Sequence, residues 1–256
     1  MTASGTTASR QALVIGGSRG IGQALVEALL ADPAWTTVTA ASRSAATTPE
    51  LAALQRRHGE RLQTVVLDIA DEASIEQAAA AVRARHPVLQ LLINTVGLLH
   101  GEGLAPERRL AEVNPQALLK SYAVNAVGPI LVAKHFQTLL AHEERAVLAT
   151  LSARVGSITD NRLGGWYAYR AAKAGQNQLL RTAAIELARR APRLISVSLH
   201  PGTVETGLSA PFRGNVAADK LFTPAHAAER LLAVIAGLSR ESSGRFYAWD
   251  GAEIPW

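Results

Sequence analysis

Strand-like and helix-like segments alternate along this chain from residue 11 onward, and this alternation restricts the fold more than any other feature. Short apolar runs, many ending in glycine, proline or a polar residue, are typical of strands buried on both faces. Such runs cover residues 11–16, 36–41, 62–67, 88–93, 146–151, 194–199 and 245–248. Helix-like segments between them predict an α/β fold, a single doubly wound Rossmann domain with about seven parallel strands and helices on both faces.

Helix signals fill the gaps between these strands. Residues 20–31 repeat an apolar side chain at every fourth position, which is the face of an amphipathic helix. Asn114-Pro115 and Thr223-Pro224 each join a capping residue to a proline, the pair that begins many helices. Because no linker or repeat interrupts the pattern, residues 11–256 are predicted to form one domain. The small polar residues 1–10 are predicted to form a disordered tail.

Composition excludes several classes of function. Cysteine is absent, which rules out disulfides, thiolate catalysis and cysteine-bound zinc, and the seven histidines are too dispersed to predict a metal site. The net charge is +5, but the basic residues are scattered, so nucleic acid is not an expected partner. The chain has no run of 18 apolar residues and no secretory signal, so we expect no membrane partner and a cytoplasmic location.

The first predicted strand leads into a glycine-rich turn with the spacing G-x-x-x-G-x-G. A turn of this kind between a strand and a helix lets the backbone approach a pyrophosphate, and the helix N-terminus presents free N–H groups to it. Glycine is required where a Cβ atom would block that approach. We therefore predict that a dinucleotide contacts Gly16, Ser18, Arg19, Gly20, Ile21 and Gly22.

Five further motifs follow the glycine turn in a fixed order. They are Asp68 after the third strand, Asn94-Thr95-Val96-Gly97 after the fourth, Asn125 in a long helix, Tyr169-x-x-x-Lys173 after the fifth strand, and His200-Pro201-Gly202 after the sixth. Together they resemble the short-chain dehydrogenase/reductase family, in particular its C-factor and sniffer-type carbonyl reductases. The resemblance covers about residues 11–248, although only the first Asn and the Gly of the family's Asn-Asn-Ala-Gly motif are retained.

This resemblance implies further contacts with the cofactor. It sets Asp68 against the adenine ring and lets Lys173 hydrogen-bond the nicotinamide ribose. The cofactor-binding residues that it adds to the glycine turn are Asp68, Ile69, Asn94, Val96, Gly97, Tyr169, Lys173, Pro201, Gly202, Val204 and Thr206. It also implies a homodimer or homotetramer, assembled through the helices that hold Asn125 and Tyr169.

The end of the second strand indicates which dinucleotide is bound. An acidic residue at this point accepts hydrogen bonds from the ribose of NAD, whereas an arginine accommodates the 2′-phosphate of NADP. Here the chain has Ser42 and Arg43 and no acid before Glu50, and Arg19 in the glycine turn can reach the same pocket. Two guanidinium groups and a hydroxyl favour a phosphate, so we predict NADP(H). The alternative is that Arg43 is an ordinary solvated loop residue.

Tyr169 and Lys173 are predicted to be the proton-donating pair. Residues four apart share one face of a helix, so both side chains can point at one substrate. A neighbouring ammonium lowers the pKa of a tyrosine from its ordinary value near 10, which suits a proton donor to a carbonyl oxygen. Tyr167 lacks such a partner, because Ala171 stands four residues after it.

Alternatives remain open for the other catalytic assignments. The family resemblance gives Asn125 a water-holding role, and the alternative is a buried asparagine at a helix kink. Ser152 is the favoured catalytic serine, although it lies 17 residues before Tyr169 and is followed by Ala153, where the family often has the catalytic one of two adjacent serines. Ser157, which lies 12 residues before Tyr169, is the second choice. A third possibility is that neither serine donates.

The last predictions from the sequence concern a lid over the substrate and the function of the protein. Residues 203–222 are predicted to form a mobile lid over the substrate. Its Leu208, Pro211 and Phe212, together with Trp166, form either a partly apolar pocket or a subunit interface. The predicted function is NADPH-dependent reduction of a ketone or aldehyde to an alcohol. The rival hypothesis is an NADP(H)-binding signalling protein with little or no turnover.

Overall fold

The computed structural model describes residues 9–45, 48–101, 103–211 and 220–256. A seven-stranded sheet with the order β3-β2-β1-β4-β5-β6-β9 forms its centre, and every neighbouring pair of strands in it is parallel. The predicted doubly wound α/β fold is therefore confirmed. The strands of this sheet are β1 Arg10–Ile15, β2 Trp35–Ser42, β3 Leu62–Val66, β4 Leu91–Asn94, β5 Ala146–Leu151, β6 Leu194–His200 and β9 Phe246–Ala248.

Seven α-helices in the described part of the chain cover the two faces of the sheet. They are α1 Gly20–Ala31, α2 Pro49–His58, α3 Glu72–Arg85, α4 Pro115–Tyr122, α5 Gly128–Leu140, α6 Tyr167–Arg190 and α7 Pro224–Gly237. Alternate residues of β1 point to opposite faces: Val14 joins a core with α1, α2 and α7, and Leu13 joins a core with α3, α5 and α6. Both faces are apolar, as expected for a parallel sheet covered on both sides.

The two predicted helix starts are confirmed in detail. The Asn114 side chain accepts hydrogen bonds from the N–H groups of Gln116 and Ala117, which have no partner inside α4. Thr223 caps α7 in the same way by accepting from the N–H of His226. Between α4 and α5 the chain continues without a break through a π-helical segment, Ala123–Val127.

The structure differs from the predictions at the starts of β1 and β4 and in the predicted lid. Strand β1 begins at Arg10, inside the predicted tail, whose residues 1–8 lie outside the described chain. Strand β4 begins at Leu91, because the N–H of Leu89 donates to the carbonyl of Leu139 instead of to a strand. The predicted lid contains an unforeseen two-stranded parallel ribbon, β7 Thr203–Val204 with β8 Leu221–Phe222, while its residues 212–219, which include Phe212, lie outside the described residues.

The described residues lack two kinds of feature. None of the helices there is both long enough and apolar enough to cross a membrane. Within the same ranges, no group of three or more histidine, aspartate or glutamate side chains is arranged to hold a metal ion.

Candidate active site

The predicted site residues come together at one edge of the sheet. The glycine turn follows β1, Ser42 ends β2 and Arg43 follows it, and Asp68 comes after β3. Asn94 ends β4, Ser152 follows β5 and His200 ends β6, whereas Asn125, Tyr169 and Lys173 lie on helices. Strand order reverses between β1 and β4, which are neighbours although they are not consecutive in the chain. In open parallel sheets a crevice forms outside the carboxyl ends of the strands at such a reversal, and ligands bind there.

The glycine turn is built so closely that side chains are excluded. Gly16 and Gly20 have φ angles of 85° and 55°, a region that favours glycine. A Cβ atom on Gly22 would lie 2.1 Å from the carbonyl oxygen of Gly16. Among the described residues no side chain caps the N-terminus of α1, so its first N–H groups stay available to a ligand. This cradle fits the pyrophosphate predicted from the sequence.

A second anion site fits beside the turn, at the end of β2. The N–H groups of Gly16 and Gly17 donate to the carbonyl of Ala41 at 2.7 and 3.1 Å, which holds the turn against that strand end. The next residue, Ser42, has a buried hydroxyl that lacks a partner among the described residues. Arg43 follows it and is exposed, as is Arg19 in the turn. Within the described chain neither guanidinium has an ion-pair partner, which fits a bound phosphate.

The residues after β3 and β4 line the crevice further along. Asp68 is half-buried and its carboxylate accepts from the N–H of Ala70 at 3.0 Å, while Ile69 is buried against Gly128, the first residue of α5. Asn94 is fully buried, and its Oδ1 accepts from the N–H of Val96 at 3.1 Å. Its amide Nδ2 has no partner within the described residues. An unpartnered buried amide at this edge also fits a ligand.

The loop after β6 closes over the glycine turn. Gly202 turns the chain with a φ of 78°, and Val204 is buried in β7. The Thr206 methyl group lies 3.2 Å from where a Cβ atom on Gly20 would stand, so the loop and the turn form two sides of one groove. Pro201, which follows His200 in this loop, is half-buried. Burial, aided by the charge of Arg154, lowers the pKa of His200 to about 4, so this imidazole is neutral.

Tyr169 and Lys173 lie side by side on α6, as predicted. The Lys173 Nζ is 5.8 Å from the centre of the Tyr169 ring, and both side chains are buried. Burial lowers the pKa of Lys173 to about 7 and raises the pKa of Tyr169 above its ordinary value. The lowered tyrosine pKa predicted from the sequence is therefore wrong for this arrangement, in which burial is the cause of the shift. Tyr167 begins the helix and is more exposed, at 36% against 7% for Tyr169.

Comparison with known proteins identifies the family. The chain matches the short chain dehydrogenase family over residues 10–216. It belongs to that family. An NADPH-bound carbonyl reductase from chicken fatty liver superposes with a TM-score of 0.86 at 30% identity, covering 97% of this chain and 94% of that one. The carbonyl reductase Sniffer of D. melanogaster gives 0.85 at 26% identity, covering 97% and 100%. The C-signal protein of Myxococcus xanthus is 33% identical over 57% of this chain and 83% of its own length.

Asn125, a motif residue in this short-chain dehydrogenase, lies in the π-helical segment and is fully buried. Its Oδ1 accepts from the N–H of Leu98 at 2.8 Å, and its Nδ2 donates to the carbonyls of Leu98 and Ser121 at 2.7 and 3.0 Å. A π-helical turn leaves a carbonyl without its usual backbone partner, and the amide supplies one. A Cβ atom on Gly97 would lie 3.6 Å from Asn125 Oδ1 and 3.9 Å from Lys173 Nζ, so these three residues adjoin.

Neither serine of the short-chain dehydrogenase site has a solvent-exposed hydroxyl. Ser152 is buried at the end of β5, and its Oγ donates to Oδ1 of Asn177 at 2.8 Å. Ser157 is buried as well, and its Oγ accepts from the N–H of Asp160 at 3.1 Å. Since a serine has a single hydroxyl proton, Ser152 has to release Asn177 before it can donate to a substrate.

Two site residues escaped the sequence reasoning, namely Gln176 and Asn177. Both are buried on α6, next to Lys173 and Ser152 respectively. The signal that could have found them is the helical repeat itself: positions three and four residues after Lys173 share its buried face. Polar side chains on a buried helical face need partners, which marks this pair as part of the polar site.

Proposed function

We propose that this protein is an NADPH-dependent reductase that converts a ketone or aldehyde into an alcohol, with Tyr169 as the proton donor. The observation that carries the proposal is the buried Tyr169–Lys173 pair beside a groove that fits a dinucleotide. A tyrosine phenol is protonated near neutral pH, the form in which a proton donor must begin, and the Lys173 ammonium lies beside it. Similarity to two carbonyl reductases, one of them NADPH-bound, supports the same reading.

The proposed cofactor contacts follow from the groove. NADPH, when bound, supplies the hydride. The glycine turn would hold its pyrophosphate, and Arg19, Ser42 and Arg43 would hold its 2′-phosphate, because guanidinium groups pair closely with phosphate oxygens. The other proposed contacts are Ser18, Ile21, Asp68, Ile69, Asn94, Val96, Gly97, Tyr169, Lys173, Pro201, Gly202, Val204 and Thr206.

Proton transfer is assigned to α6. As the substrate carbonyl carbon accepts the hydride, its oxygen gains negative charge and takes the proton from the Tyr169 hydroxyl. The phenolate that forms is stabilised by the ammonium of Lys173, whose Nζ is 5.8 Å from the ring centre. We propose that Asn125, which adjoins Lys173 across Gly97, holds the path by which a proton returns to the tyrosine.

Ser152 is the proposed hydrogen-bond donor to the substrate oxygen, with Ser157 as the second choice. For this role its hydroxyl has to turn away from Asn177 as substrate enters. The variant Ser152→Ala is expected to lower kcat by about 10- to 100-fold, the effect of one lost hydrogen bond in the transition state. Ser157→Ala serves as the matched comparison. Unchanged kcat in both variants would leave Tyr169 as the sole donor.

The exposed helix faces suggest an assembly. On α4 and α6, the apolar side chains of Leu119 and Ile185 are 71% and 51% exposed. We propose a homodimer or homotetramer through these helices, and light scattering on the purified protein tests it. A scattering mass equal to that of one chain at micromolar concentration would contradict the proposal.

A single experiment tests the proposed reaction. The purified protein is incubated with NADPH and a panel of aldehydes and ketones, and the alcohol product is identified by mass spectrometry. We expect one alcohol formed for each NADPH consumed. The rival proposal, a signalling protein as the similarity to C-signal suggests, predicts tight NADPH binding with no product from any carbonyl.

A further inference from the structure

We propose that Gln176 is a positioning residue that keeps the side chain of Lys173 in its ammonium form and aims it at the reaction centre. The inference rests on the proposed function, in which that charge stabilises the Tyr169 phenolate. Gln176 lies one turn after Lys173 on α6 and is fully buried. Burial of a glutamine side chain is favourable only when its amide is hydrogen-bonded.

A closed triangle of hydrogen bonds joins the two side chains to β5. Lys173 Nζ donates to Gln176 Oε1 at 2.8 Å and to the carbonyl of Leu151 at 2.9 Å. The amide Nε2 of Gln176 donates to the same carbonyl at 3.2 Å. This triangle fixes the orientation of the amide, because a flipped amide would set its NH₂ group against the ammonium.

The triangle leaves one N–H bond of Lys173 for the site. An ammonium has three donors, and two of them are used by Leu151 and Gln176. The Nζ atom adjoins Gly97, which comes after β4, and the side chain of Asn125 lies beside the same glycine. The third N–H is therefore available to cofactor, substrate or the proton path. The side-chain hydrogen bonds of Gln176 join it to Lys173 and Leu151, so its proposed effect on the reaction passes through Lys173.

Uncharged hydrogen-bond acceptors oppose the effect of burial on the pKa of Lys173. Burial is the one cause of its lowered pKa of about 7, with no contribution from a neighbouring charge. On the elements packed against α6, Arg154 is paired with Asp160, His200 is neutral, and Lys120 lies exposed on α4. On α6 itself the nearest titratable group is Tyr169, which is an uncharged phenol.

A buried carboxylate and further charged groups also lie on or against α6. Glu107 accepts from the N–H of Ala168 at 3.2 Å, in the first turn of the helix, and it contributes nothing to the pKa shift of Lys173. Arg170 of α6 donates to the carbonyls of Gly164 and Gly165. On α5, Lys134 and His135 both pair with Glu72. The two acceptors in the triangle are thus the groups that favour the ammonium over the neutral amine, since hydrogen bonding to a charged form stabilises it.

The test measures the titration of Lys173 directly. The chain contains only four lysines, at positions 120, 134, 173 and 220, so ¹³C-lysine NMR of the full-length protein gives few signals, which Lys→Arg variants assign. Gln176→Met keeps the length of the side chain and removes the acceptor. We expect its Lys173 midpoint to fall by about one to two pH units, the effect of a lost hydrogen bond to a charged group.

Two further variants make the result specific. Gln176→Glu replaces the amide by a carboxylate. A nearby opposite charge favours the ammonium, so the Lys173 midpoint should rise by about one pH unit or more. Gln178→Met alters an exposed glutamine two residues away on the same helix and should leave the midpoint unchanged. A Lys173 midpoint that is equal in wild type, Gln176→Met and Gln176→Glu would overturn the proposal. If the Met variant does not fold, the Glu variant alone decides.

Activity provides the second readout. The alkaline limb of the kcat/KM profile for carbonyl reduction should move to lower pH in Gln176→Met and to higher pH in Gln176→Glu. Substitution of a residue with a purely structural role would instead lower kcat/KM equally at all pH values. A wild-type protein that reduces no carbonyl would contradict the proposed function, and the NMR midpoints would still decide the role of Gln176.

Discussion

Removing the guanidinium groups of Arg19 and Arg43 should change which dinucleotide the protein prefers. Both side chains are exposed at the edge where β1 and β2 end, and neither has an ion-pair partner among the described residues. Ser42 beside them has a buried hydroxyl without a partner in the same part of the chain. If they hold the 2′-phosphate, the variants Arg19→Ala and Arg43→Ala will weaken NADPH binding and leave NADH binding unchanged.

The expected magnitude follows from exposure. A hydrogen bond to a charged group contributes about 1.5–3 kcal/mol, and solvent reduces that for exposed groups to about 1–1.5 kcal/mol each. Each substitution should therefore raise the Kd for NADPH by about 5- to 12-fold, and the double variant by about 30- to 150-fold. The effect should shrink at high salt, because ions screen exposed charges over about 8 Å at physiological ionic strength.

Titration of cofactor fluorescence measures both dissociation constants. Arg189→Ala, which removes an exposed arginine near the far end of α6, is the matched control and should leave both constants unchanged. The decisive quantity is the ratio of the NADH and NADPH constants. Equal weakening of both dinucleotides in the Arg19 and Arg43 variants, or no weakening of either, would refute a 2′-phosphate site at the end of β2.

Two further variants probe the glycine turn and a buried histidine. Gly22→Ala should abolish NADPH binding and lower the Tm, because its Cβ atom would lie 2.1 Å from the Gly16 oxygen. Gly237→Ala, which has open space around it, is the control in calorimetry, and equal Tm values for the two variants would contradict the reasoning. The pKa of His200 is about 4 in the folded protein and 6.5 in the unfolded chain. Between these pH values the unfolded chain alone binds the proton, so the free energy of unfolding should fall as the pH drops from 6.5 to 4. Urea unfolding of His200→Gln should show a smaller fall, and an unchanged fall would count against this histidine.

Much of the fold could be predicted because the sheet is buried on both faces. Its strands read as apolar runs, and six of the seven begin within one residue of the predicted start. Strand β4 is the exception, since the N–H of Leu89 donates to the carbonyl of Leu139 instead of to a neighbouring strand. The ribbon of β7 and β8 joins pairs of residues almost twenty positions apart, and a two-residue strand has too little pattern to be recognised.

The site could be predicted where a motif has a fixed place after a strand. Gly16, Arg43 and Asn94 were found in this way, and the structure brings them to one edge of the sheet. Contacts between side chains from different segments were not predictable. The bond of Ser152 to Asn177 and the triangle at Gln176 depend on how α6 packs against β5, and sequence spacing alone does not encode that packing.

The effect of Tyr169→Phe on NADPH consumption tests the central claim most directly. The variant removes one oxygen atom from a buried ring and leaves Lys173 and the cofactor groove in place. With a carbonyl that the wild type reduces, we predict that NADPH consumption falls by at least about 100-fold, the contribution of a positioned proton donor, while the Kd for NADPH stays within about twofold. Turnover that survives at the wild-type rate would contradict the assignment of Tyr169 as the proton donor.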